Sequence, residues 1–195
     1  MVNADATLDV LDKRSGELYS GVNVFIDDGE AGNGFQHISP YRDFTAVSCG
    51  ENMTVRIVEN SPQRGTILIG QDFTLPKSLS ADGLSRSDET VKTHIETAVT
   101  LRRGCAYVEF DTKITNAARD HRLRVGFPTD VKSDTAYVGQ PFDVVLRPVQ
   151  PENVNELHEG DYEPYVGYGP MHDFCGITDG RRGAAVAGGG LLEYE

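Results

Sequence analysis

The sequence predicts an all-β chain of antiparallel strands, and three observations carry that prediction. Apolar and polar residues alternate with period two through several separate stretches, the pattern of strands that bury one face and expose the other. Glycine and proline, 21 and 9 of the 195 residues, punctuate the chain at short intervals. No stretch sustains the apolar repeat of a long helix, and many short strands with frequent turns are the mark of a sandwich or barrel.

The elements follow in order. The run TLDVLD at 7–12 alternates cleanly, meets the turn residues KRSG at 13–16 and resumes as ELY at 17–19, which predicts a hairpin. Further strands are expected at 54–59, 65–73, 91–101, 106–115, 123–127, 142–148 and 184–186. The stretch 91–101 is the clearest, with Val91, Thr93, Ile95, Thr97 and Val99 on one face and Lys92, His94, Glu96, Ala98 and Thr100 on the other. Arg102, Arg103 and Gly104 then turn the chain into 106–111, so these two strands are expected to pair antiparallel. Residues 75–88 and 150–170 read as long polar loops. Tyr162, Tyr165 and Tyr168 recur in the second, but among Pro164, Gly167, Gly169 and Pro170, which predicts irregular chain.

Composition narrows the partners. A chain of 195 residues can bury a sizeable core as one large domain or two small ones. Its formal charge of −12 opposes nucleic acid, which needs clustered Lys and Arg, and weakens any anionic membrane surface. No window approaches the roughly 18–20 consecutive apolar residues of a spanning helix, and 1–11 lacks a basic-then-apolar signal layout. A soluble chain with neither nucleic-acid nor membrane partner is expected. Cys49, Cys105 and Cys175 are odd in number and far apart, so they are expected as buried or inert thiols in a reducing compartment. His37, His94, His121, His158 and His172 never fall in a zinc-binding spacing, so no metal site is expected in the chain.

The densest stretch is NAARDHRLRVGFP at 116–128. Leu123, Val125 and Phe127 alternate with Arg122, Arg124 and Gly126, so both arginines project from one strand face. One reading is a solvated edge in which Asp120 pairs with an arginine and His121 finishes a turn. The other is a rigid fork for a carboxylate or polyol, since a guanidinium presents its donors in one plane. The run from Asp27 to Gly34 alternates carboxylates with glycines and invites calcium. It lacks the order of an EF-hand loop, and a turn-rich loop is expected instead. Arg147, beside Pro148, either caps a strand and pairs with Asp143 or Glu152, or reaches into a pocket.

Three blocks carry a resemblance. DHRLRVGFPT at 120–129 followed by PFDVVLRP at 141–148, the opening LDVLDKRSGELYSGVNVFIDDGEAGNGFQHISP at 8–40, and the ending from Gly190 to Glu195 together resemble the C-terminal β-domain of glycoside hydrolase family 38, the α-mannosidases. The resemblance implies a large antiparallel β-sandwich of the galactose-mutarotase-like kind, spanning 1–195 as one domain of a larger enzyme. It also implies an arginine, here Arg147, reaching toward the catalytic pocket. A Gly-Asp-x-Gly-Asp-x-Tyr loop approaches the sugar in that family. The matching positions are Gly29, Glu30, Gly32, Asn33 and Phe35, which lengthens one acid, neutralises the other and removes the tyrosine hydroxyl. Stacking of Phe35 on a sugar face survives these changes. Arg147, Phe35, Glu30, Asn33 and Arg124 are the residues expected near a substrate.

Family 38 enzymes are retaining α-mannosidases in which zinc, held by two His and two Asp, binds sugar hydroxyls while one acid attacks and another protonates the leaving group. That machinery belongs to a domain nothing here matches. No catalytic residue or cofactor is therefore expected in this chain, with zinc expected in the absent catalytic domain. The chain also ends partway along what reads as a continuing strand. These points lead to a non-catalytic β-sandwich that packs on its own catalytic domain and lines an α-mannoside site. The expected setting is the bacterial cytoplasm, with a homo-oligomeric parent included in the expectation. The competing readings are a stand-alone carbohydrate-binding module, which the absence of tryptophan disfavours, and a purely structural module.

Overall fold

The fold is described from a computed structural model, for residues 1–32, 37–149 and 168–195. Among them every regular element is a strand. The chain divides into two compact units, Met1–Pro128 and Thr129–Glu195.

The first unit opens with the expected hairpin, β1 (Leu8–Leu11) against β2 (Leu18–Val22). Asp12 closes its turn by accepting from the Arg14 amide at 2.9 Å, and Gly16 supplies the left-handed residue at φ +79°. Next come β3 (Val24–Gly29), β4 (Ala46–Val47), β5 (Glu51–Asn60), β6 (Arg64–Pro76), β7 (Thr90–Arg102), β8 (Val108–Thr115) and β9 (His121–Gly126). Strands β5-β6-β7-β8 form one antiparallel sheet and β4-β3-β9 another. The β7–β8 hairpin pairs as expected, with Thr97 opposite Thr112 and Val99 opposite Phe110.

Alternation along β7 is as predicted. Thr93, Ile95, Thr97 and Val99 are buried, and they pair with Phe73, Gln71, Ile69 and Ile67 of β6. This face carries two apolar clusters. Ile69 and Val99 join Ala6, Leu8 and Val22 under the first hairpin, while Phe73, Leu75 and Ile95 join Phe25 and Ala118 under β3. Phe127 packs edge-on against Phe110, ring centroids 5.3 Å apart.

The second unit holds β10 (Thr135–Gly139), β11 (Val144–Pro148), β12 (Gly169–Pro170), β13 (Phe174–Thr178), β14 (Gly183–Ala187) and β15 (Glu193–Tyr194). Its main sheet runs β11-β10-β13-β14, and β12 pairs with β15. Ala136, Val138 and Met171 form its core.

Several expectations need correction. The acidic run beginning at Asp27 does not start as a turn-rich loop: Asp27 and Asp28 lie inside β3, because each finds a cationic partner that a loop reading could not foresee. His121 begins β9 instead of finishing a turn. Asp120 accepts from the Leu79 amide at 3.3 Å and not from an arginine. Cys49 and Cys105 are exposed, since each lies by a turn and not inside a strand, and only Cys175 is partly covered. Strands β3, β4, β10, β12 and β13 were not foreseen from the sequence. Most of the polar segment 150–170, with Tyr162 and Tyr165, lies outside the described residues.

Candidate functional site

Polar segments of the first unit meet at one end of β3: 29–32 with 37–45, 77–89 and 116–121. Register explains how. In the β3–β9 ladder Asp27 faces Leu123, Asp28 faces Arg122 and Gly29 faces His121. Residues that pair share a face, so Phe25, Asp27, Leu123 and Val125 point to the apolar cluster, while Asp28 and Arg124 occupy the other face.

Asp27 is therefore a carboxylate on a core-facing position, fully buried. Such a group is tolerated only when its charge is matched and its lone pairs are filled. The guanidinium of Arg86 bonds its Oδ1, and His121 Nδ1 lies 2.5 Å from its Oδ2. Arg86 is itself 7% exposed. Its Nη1 donates at 3.2 Å to the carbonyls of both Asp27 and Phe44, and its guanidinium carbon sits 5.0 Å from the centroid of the Phe44 ring. His121 Nε2 faces Asn116 Oδ1 at 3.2 Å.

Above this node the chain closes a loop. Asp43 accepts from the Gly29 amide with both oxygens, at 3.2 and 3.1 Å, and the Ala31 amide donates to the Ile38 carbonyl at 2.8 Å. The Glu30 amide donates to the Asp120 carbonyl at 2.9 Å, tying the loop to the residue before β9. Asp120 holds φ of 52°.

The five residues expected near a substrate fall out as follows. Glu30 organises its own loop: Oε1 accepts from the amides of Gly32 and Ile38 at 2.6 and 3.1 Å, and Oε2 lies 2.5 Å from His37 Nδ1. Burial pushes the Glu30 carboxyl up, but His37 and the two amides outweigh it and hold the group below the usual glutamate value. Arg124 is ion-paired with Asp28. Arg147 lies on β11 opposite Ala136, and its Nε is buried with no hydrogen-bond partner. Asp143 instead accepts from the Val144 amide at 2.7 Å. Asn33 and Phe35 lie outside the described residues. Glu30 and Arg124 thus belong to the same end of the first unit, whereas Arg147 belongs to the second. Arg86 and Asn116, which support the buried node, were missed, and Asp27 was read as the start of a loop and not as a buried carboxylate. Arg86 sits in what reads as an ordinary polar loop, and no local pattern marks a residue whose partners lie 42 and 59 positions away.

The decisive comparison is with the family. Residues 38–194 match the glycosyl hydrolases family 38 C-terminal domain. The chain belongs to this family. Family 38 relatives show the extent of the match. A protein of Halalkalibacterium halodurans provisionally named a mannosylglycerate hydrolase is 25% identical over 211 residues, covering 100% of this chain and 22% of its own length. An α-mannosidase of Enterococcus faecalis V583 superimposes with a TM-score of 0.88 at 26% identity, over 100% of this chain and 23% of that one. A family 38 glycosyl hydrolase structure from Enterococcus faecalis gives 0.87 at 26% identity and the same coverage. The chain therefore spans under a quarter of the length of these family 38 relatives. Family 38 chemistry uses zinc, and among the described residues no three His, Cys, Asp or Glu side chains converge on a metal site.

Proposed function

We propose that this chain is a non-catalytic part of an α-mannoside-type glycosidase, packing on the catalytic domain of the parent and lining its sugar site. The carrying observation is where exposed apolar side chains collect. Val55, Ile57, Leu101 and Ile114 are 46, 69, 59 and 43% exposed, and register puts all four on the core-facing side of the β5–β8 sheet. In the second unit Tyr137, Val144 and Leu146, 41, 46 and 59% exposed, share the side of β10 and β11 turned from the core. Single exposed hydrophobics need no explanation, but several gathered on one sheet face suit an interface.

In this reading the Asp27 to Phe35 segment of the first unit is proposed near the parent's substrate, and Arg147 of the second unit is proposed near substrate independently of it. Glu30 and Arg124 act one step back, holding that segment instead of touching sugar. A reducing, cytoplasmic setting belongs to the same proposal, with Cys49, Cys105 and Cys175 all free.

Calorimetric titration of the chain with mannose and an aryl α-mannoside, before and after Arg147→Ala, tests it. Absence of heat from either ligand is expected of a wall completed only by the parent's catalytic domain. Sub-millimolar binding abolished by the substitution would instead make the chain a carbohydrate-binding module in its own right.

A further inference from the structure

Resting on that reading, we propose that Phe44 is a stacking platform for a hexopyranoside unit of the substrate. Its ring is covered on one side only. Phe44 is 55% exposed, yet the Arg86 guanidinium lies over one face, its carbon 5.0 Å from the ring centroid. Arg86 is buried and bonded to Asp27, so the cation is not free to move aside, and the ring offers solvent its opposite face and its rim. The backbone beneath the ring is held on both sides. Its amide donates to Asp43 Oδ1 at 2.8 Å, its carbonyl accepts from Arg86 Nη1 at 3.2 Å, and two residues later Ala46 pairs with Asp27 in the β3–β4 ladder. Pro40 and Asp43 close on Gly29 so tightly that a Cβ there would meet them at 2.8 and 2.9 Å. An aromatic side chain left in water on so restrained a segment loses little conformational freedom when a ligand covers it.

The surroundings of the ring suit a sugar better than a protein surface. Tyr41, 87% exposed, puts a second aromatic on the same segment, and Arg42 and Asp43 stand between the two in sequence. The sheet face proposed for domain packing is built differently, from the aliphatic side chains of Val55, Ile57, Leu101 and Ile114. A pyranoside has a face of C–H bonds that rests on an aromatic ring and hydroxyls around its edge that need polar partners. An exposed ring among charged residues answers both needs, whereas an aliphatic face answers neither hydroxyl nor charge. Phe44 also adjoins the segment proposed near the substrate, because Asp43, its neighbour in the chain, accepts from the Gly29 amide. A ring that meets the sugar face and no reacting atom contributes binding and not chemistry.

Kinetics of the whole protein that carries this chain test the proposal, with an aryl α-mannoside as substrate and Phe44→Ala and Phe44→Trp as variants. Phe142→Ala is the control, an exposed phenylalanine of the second unit. Phe44→Ala is expected to raise KM about tenfold or more with kcat within about threefold, Phe44→Trp to keep KM within about threefold of the unaltered protein, and Phe142→Ala to change neither. Phe44→Leu, which keeps apolar bulk but no flat face, should raise KM as well and decides the matter where Phe44→Ala does not fold. Unchanged KM in an active protein overturns the inference, whatever happens to kcat, and leaves the functional reading standing. A raised KM that Phe44→Trp shares also overturns it, since the ring then holds the 40–46 segment and does not stack. Should the protein hydrolyse no α-mannoside, the functional reading falls and fluorescence decides the inference. The emission of Phe44→Trp, less that of the unaltered protein, is then followed during titration with methyl α-mannoside. A saturable shift supports a sugar platform without the glycosidase, and a flat titration overturns both.

Discussion

At Asp27 a single carboxylate decides how one end of the first unit is built. It is buried, and both of its oxygens are taken, by Arg86 and His121. Deleting the carboxylate leaves the buried Arg86 guanidinium charged without its counter-charge in a low-dielectric site. Asp27→Ala is therefore expected to lose about 3–5 kcal/mol in urea unfolding. Lys77→Ala, whose partner Glu89 is 67% exposed, should stay within about 0.5 kcal/mol of the parent in the same assay. Glu30 adds a pH dependence. Its folded pKa lies below the unfolded one, so its contribution is complete above the unfolded value and is lost as pH falls through the folded value. Amide protection at Gly32 and Ile38 should accordingly collapse below the ordinary carboxylate range while β7 stays protected. Loss of protection on raising the pH, beyond the general rise in intrinsic exchange rate, would contradict that sign.

Among the elements, β7 is the one the sequence describes best, because both of its neighbours are hydrogen-bonded and one of its faces is covered. Its period-two pattern reports burial directly. Ile95, 1% exposed and packed in the cluster under β3, should cost about 2–5 kcal/mol when changed to alanine. A tighter constraint sits just before β5. Gly50 adopts φ of +72°, and a Cβ there would meet the Ala4 carbonyl oxygen at 2.7 Å. Gly50→Ala combines left-handed strain with a backbone clash, so a loss of more than about 1 kcal/mol is expected by thermal unfolding. Strand β3 shows the opposite relation between pattern and structure. Its Asp27-Asp28-Gly29 ending reads as a turn, yet it is strand because Arg86 and Arg124 lie where the acids point.

On the scale of the whole molecule, acidity and exposed apolar faces pull against each other. A net charge of −12 keeps copies apart, and salt screens that repulsion over roughly 10 Å at 0.1 M. Sedimentation of the isolated chain should thus show association that rises with salt. Ile57→Lys should suppress it with a stability change within about 0.5 kcal/mol, since Ile57 is 69% exposed. The same substitution should weaken binding of the chain to the remaining part of its parent, measured by titrating one with the other. Undiminished binding would separate that face from the proposed interface.

Local patterning was enough for the all-β class, the first hairpin, the β7–β8 pairing and the faces of β7, since each depends on neighbours in sequence or on period two. The motif blocks at 8–40, 120–129 and 141–148 were enough for the family. Arg124 was placed on the right strand face, but its partner Asp28 lies 96 residues away and could not be read from spacing. Only the tertiary structure decided that Asp27 is core and not loop, that Glu30 is consumed in holding its own loop, and that Arg86 is buried. The physical reason is common to all of them. A buried charge is stable only beside its counter-charge, and which residues become neighbours across β3, β9 and the 77–89 segment is set by sheet register and long-range closure, not by local sequence.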